Sequence, residues 1–84
     1  MSINNYRKTL SELMPGEDAI LLDFKGGRTV NKRLASIGFT PGAVVSMASN
    51  YGMGPLIVSV RGTRVALGRG EAAKIIVDAS PHER

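Results

Sequence analysis

The sequence predicts a mainly β fold, a small β-barrel with one short α-helix between its first and second strands. Three observations carry that expectation: short alternating apolar segments divided by turn residues, one segment of helical spacing closed by glycine and proline, and a length that admits a single core. At 84 residues the chain cannot bury enough apolar surface for two cores to offset the conformational entropy lost on folding. One domain over residues 10–78 is expected, with flexible tails at 1–9 and 79–84, where polar residues show no apolar period. Its stability is expected near the low end of the usual range, about 5 kcal/mol.

The elements follow in chain order. Leu10 and Leu13 stand three apart before Pro15-Gly16, which suits a short helical turn that leads into the first strand. In Asp18–Phe24 the side chains of Ile20, Leu22 and Phe24 share one face and those of Ala19, Leu21 and Asp23 the other. That is the period-two pattern of a half-buried strand, and Phe24 is expected in the core. Lys25-Gly26-Gly27-Arg28 reads as a turn, after which Thr29 can cap a helix whose apolar stripe is Val30, Leu34 and Ile37. The stop signal is strong: Gly38 suits a left-handed residue, Phe39 can fold back on Leu34, and Pro41 prevents continuation.

Val44–Ser49, Leu56–Arg61 and Arg64–Leu67 are three further strands, expected to pair antiparallel in sequence order around the loop 50–55 and a two-residue turn at Gly62-Thr63. The segment 70–74 is too short for a lasting helix and reads as one turn that delivers Ile75-Ile76-Val77 as a closing strand. Five strands and one helix make up the expected barrel.

Composition excludes several classes of chemistry. There is no cysteine, hence no disulfide, thiolate metal site or cysteine nucleophile, in keeping with a reducing cytoplasm. No segment approaches the roughly 20 apolar residues of a membrane span, and the first residues lack the apolar run of a secretion signal. His82 is the single histidine and falls in the expected tail, while the carboxylates lack the loop spacing of a calcium site, so neither a metal nor a cofactor is expected. A serine nucleophile would lack a base and an orienting group, so no catalytic residue is expected. Gly52-Met53-Gly54 and Gly68-Arg69-Gly70 fail both phosphate-loop patterns and read as turns.

Surface chemistry is the remaining source of function. Eleven Lys+Arg against seven Asp+Glu give a net charge of +4, a bias toward acidic protein faces, nucleic acid or lipid headgroups. Arg28, Lys32 and Arg33 on or beside the helix, and Arg61, Arg64 and Arg69 around the last hairpin, form two potential basic patches. The aromatics that stack on single-stranded bases are missing, which favours a protein partner over nucleic acid. Tyr51 and Met53, in a glycine-rich loop, either fold over the barrel end or stand exposed as apolar contacts.

Arg33-Leu34-Ala35-Ser36-Ile37-Gly38-Phe39-Thr40-Pro41-Gly42 resembles the R-L-x-x-(L/I)-G-(F/L)-x-P-G segment of the ferrous iron transport protein A family. Leu10 to Gly16 is similar to that family's opening L-x-x-L-x-x-G. Gly54-Pro55-Leu56-Ile57-Val58-Ser59-Val60-Arg61-Gly62 is similar to its G-x-P-L-x-V-x-V-x-G strand, one residue shorter before the proline. Ala66-Leu67 and Glu71-Ala72 match its later A-L and E-A positions, so the resemblance spans residues 10–78.

The resemblance implies an SH3-like barrel, cytoplasmic and non-catalytic, that binds and regulates a GTP-binding membrane ferrous iron transporter and meets the membrane through that partner only. The same barrel occurs as the last domain of metal-dependent repressors, whose helix-turn-helix and metal-binding segments have no counterpart here. Docking is expected through Lys32, Arg33, Ser36, Phe39, Thr40, Pro41, Gly42, Tyr51 and Met53, since four scattered aromatics do not make a proline-peptide groove. The alternatives are a small basic barrel that binds nucleic acid, and a metal-sensing regulatory domain.

Overall fold

A computed structural model describes residues 6–25 and 28–80, with side chains described for 6–25 and 32–80. Six strands run in the order β1 (Arg7–Thr9), β2 (Asp18–Phe24), β3 (Val44–Ser49), β4 (Leu56–Val60), β5 (Thr63–Leu67) and β6 (Ile75–Asp78). A 3₁₀ turn, Leu10–Glu12, links β1 to β2; helix α1 (Arg28–Ile37) links β2 to β3; and a single helical turn, α2 (Arg69–Ala72), links β5 to β6. All neighbouring pairs are antiparallel, in the order β1-β6-β2-β3-β4-β5.

The core is one cluster fed by every strand from β2 to β6. Ala19 and Leu21 of β2, Val45 and Met47 of β3, Leu56, Val58 and Val60 of β4, Leu67 of β5, and Ile75 and Val77 of β6 all bury against it. A six-stranded sheet can send one face into a single cluster only if it curls around it, and this chain's radius of gyration is 12.1 Å. Leu10, Leu13, Leu34 and Ala72 plug the cluster from the connecting segments, and no polar side chain is buried among the described residues.

The sequence expectation needs four corrections. Arg7–Thr9, assigned to the tail, forms β1 against β6, with Lys8 opposite Val77. Polar side chains hide this strand because backbone hydrogen bonds to β6 hold it, and they leave it only partly covered. In β2 the fully buried pair is Ala19 and Leu21, while Ile20, Leu22 and Phe24 are half-buried, with Phe24 packed on the core's margin. The register shifts between Leu21 and Asp23, so strict alternation does not run the length of β2.

Helix α1 starts at Arg28, which puts Thr29 inside it and not at its cap. The last hairpin turns at Arg61-Gly62, because Val60 pairs directly with Thr63. The two turn residues have φ of 51° and 79°, as both central residues of a type I′ turn require. The Gly26-Gly27 turn, the Val30 and Arg28 side chains, His82 and the outer parts of both tails lie outside the described residues.

Candidate docking surfaces

Strand directions divide the molecule into two ends. β2 finishes at the end where β3 and β6 begin and where the β4–β5 turn lies, and α1 crosses this end. The opposite end carries the turn before β2 and the loop between β3 and β4.

At the α1 end the helix stops by local bonding. The Gly38 N–H donates to the Ala35 carbonyl at 3.1 Å and the Phe39 N–H to the Leu34 carbonyl at 3.0 Å, the paired bonds of a Schellman motif, with Gly38 at φ +117°. Arg61 packs against this point, since a Cβ on Gly38 would lie 3.0 Å from its Cδ. The chain then turns through Thr40 and Pro41, where the Ala43 N–H donates to the Thr40 carbonyl at 2.9 Å, and the Gly42 N–H reaches the Leu21 carbonyl at 2.8 Å.

Glu71 ties α1 to α2. One carboxylate oxygen accepts from the Gly68 N–H at 3.4 Å at the start of α2, and the other pairs with the Arg33 guanidinium. Ser36, exposed, spends its hydroxyl on the Arg33 carbonyl at 2.7 Å.

At the other end Asn50 is the hub. Its side-chain amide donates to the Ser11 carbonyl at 3.1 Å and the Leu13 carbonyl at 2.7 Å, while its oxygen accepts from Arg69 and from the Gly52 N–H at 3.3 Å. These bonds fix the base of the β3–β4 loop to the 3₁₀ turn and to α2. The loop carries Tyr51, 84% exposed, and Met53, 78% exposed. Met14, 63% exposed, follows the Leu13 carbonyl that Asn50 holds, so the two loops stand side by side.

The expected contacts therefore do not form one patch. Lys32, Arg33, Ser36, Thr40, Pro41 and Gly42 gather at the α1 end, and Tyr51 and Met53 at the other. Phe39 leaves the set: its ring is fully buried and serves the core. Of the two readings of Tyr51 and Met53, exposure is the one observed. Sequence reasoning missed Asn50, Met14 and the Glu71 bridge. Only Asn50 left a signal, as an amide that directly follows a strand in a turn-rich segment.

Among the described residues no three His, Asp or Glu side chains converge on a common point, and no helix is long and apolar enough to cross a membrane. Residues 8–79 match the model of the FeoA domain. The chain belongs to the FeoA domain family. It is 36% identical over 63 residues to an Fe(2+) transport protein A of Methanocaldococcus jannaschii, which covers 75% of this chain and 76% of that relative. Among solved FeoA structures, an iron uptake regulatory protein superposes with a TM-score of 0.81 at 39% identity, over 86% of this chain and 96% of the other. FeoA of Stenotrophomonas maltophilia, solved with zinc and described as a prokaryotic SH3 domain protein, gives 0.74 at 36% identity over 84% and 89%. The curled sheet is thus an SH3-like barrel, as the family resemblance implied.

Proposed function

We propose that this chain is a non-catalytic accessory protein of ferrous iron uptake that docks on, and regulates, the cytoplasmic GTP-binding part of a membrane iron transporter. Membership of the FeoA family, whose relatives are described as iron transport and uptake proteins, supports the iron system. The observation that carries the docking mode is the Tyr51–Met53 loop, whose base is fixed by four hydrogen bonds while its two largest side chains stay in solvent.

An exposed tyrosine and methionines beside an arginine match the composition of protein interfaces, in which Tyr, Met and Arg are enriched. Anchoring the loop before binding lowers the entropy lost on association. The chemistry present is recognition: on the described surface no cavity opens and no three His, Asp or Glu side chains converge. The test is a lipid-free pull-down with the transporter's isolated GTP-binding domain, in each nucleotide state. Wild-type chain should be retained, and Tyr51→Ser combined with Met53→Ser should weaken binding about tenfold or more. No retention of the wild type in any state would sink the reading.

A further inference from the structure

Among the described residues the cations are concentrated at the α1 end. Lys25, Lys32 and Lys74 are exposed there and make no ion pair among the described residues. Exposed Arg61, over Gly38, and exposed Arg64, beside the same hairpin turn, are two further cations without an ion pair among the described residues. The backbone brings them together: the Lys25 N–H donates to the Lys74 carbonyl at 2.6 Å, the Lys74 N–H to the Glu71 carbonyl at 3.0 Å, and Glu71 holds Arg33 beside Lys32. Glu71 is thereby neutralised, which leaves Asp23, among the described residues, as the one carboxylate at this end without an ion pair. Glu17 and Asp18 lie at the opposite end.

The type of cation discriminates among partners. Three of the five are lysines, the residue depleted at protein interfaces, and these sit on flexible stems without the fixed geometry that a shaped protein site uses. This end exposes no aromatic ring for stacking on single-stranded nucleic acid, since Phe24 is half-buried and Phe39 fully so. A layer of anionic headgroups demands only closely spaced positive charge on one side of the molecule. We infer that the α1 end, through Lys25, Lys32, Lys74 and Arg61, is a contact surface for the anionic lipid headgroups of a membrane. This contact goes beyond attachment through a partner alone, and it leaves the Tyr51–Met53 end turned outward for a protein.

The test needs no transporter. Co-flotation of the full chain with vesicles of phosphatidylcholine, with and without phosphatidylglycerol, should show binding to the anionic vesicles only. That binding should be lost as salt rises toward about 1 M, where screening shortens to roughly 3 Å. K25Q/K32Q/K74Q should weaken it about a hundredfold, near fivefold per lysine, whereas Tyr51→Ser with Met53→Ser should float as the wild type does. Equal binding to neutral vesicles, no binding to anionic ones, or full binding by the triple variant overturns the inference. So does tighter binding to duplex DNA than to anionic vesicles at the same salt, or a triple variant that loses the isolated GTP-binding domain in solution. A chain that floats with anionic vesicles but ignores that domain supports this contact and sinks the proposed docking, so the two fail separately.

Discussion

The two ends of this barrel are built by different means although they cap the same core. The α1 end is a set of long charged side chains on and around a helix held from below by Leu34, by the Phe39 ring and by the Arg33–Glu71 pair. The loop end is an apolar tip on a base fastened by side-chain to backbone bonds from Asn50. Charge at one end needs no precise placement to act, because its field extends over about a Debye length, roughly 8–10 Å. Apolar contact at the other acts only at van der Waals range and so needs a rigid base. One small fold thereby offers a diffuse surface and a shaped one, facing opposite ways.

The largest expected effect removes the comparison altogether. Phe39→Ala should cost about 3–5 kcal/mol through the cavity left at the helix end. In a domain of about 5 kcal/mol total stability, urea denaturation should then show a chain at or near its unfolding midpoint in water, with both ends lost together. If only the α1 end loosened, the single shared core would be the wrong description. Asn50→Leu should separate the ends instead. It strips partners from the Ser11 and Leu13 carbonyls and from Arg69, whose Nε is already buried without one, at about 1–3 kcal/mol. Hydrogen exchange should quicken in the loop end, with the Gly38 and Phe39 amides unchanged. Uniform loss of protection would mean that Asn50 supports the whole barrel.

What could be read in the sequence and what could not follows from the range of the interactions. The stop of α1 was legible because its bonds join Leu34, Ala35, Gly38 and Phe39, within one turn and a half of chain. Strand β1 was not, because Arg7 finds its partner at Asp78 and contributes no apolar period of its own. The hairpin turn was misplaced by one residue because Arg61 adopts a left-handed φ that its residue type disfavours. For the docking residues, exposure at Tyr51 and Met53 was one of two readings left open, but their distance from Lys32 and Ser36 depends on which way each strand runs. That topology also moved Phe39 inward: the same G-F-x-P-G turn that looked like a surface motif delivers its ring to the core.

Gly38→Ala should sharpen the account of how the α1 end is locked. The new Cβ meets Arg61 Cδ at 3.0 Å and Nε at 3.4 Å, at a φ that side chains disfavour, for a cost of about 1–2 kcal/mol by urea titration. In an Arg61→Gly background the steric part should vanish and only the φ cost stay. Equal costs in both backgrounds would show that Arg61 yields freely and does not clamp the helix.

The smallest expected effect concerns the bridge between α1 and α2. Arg33→Gln removes an ion pair whose side chains are 55% and 30% exposed, so about 0.2–1 kcal/mol should be lost, and less at high salt. Glu71→Ala should cost more, because it also removes the oxygen that accepts from the Gly68 N–H at the start of α2, a hydrogen bond that salt screens weakly. The difference between the two variants should therefore persist at about 1 M salt while the Arg33 effect fades. If the two variants were instead equal under all salt conditions, Glu71 would act only as a counter-ion for Arg33, and α2 would owe its start to backbone bonding alone.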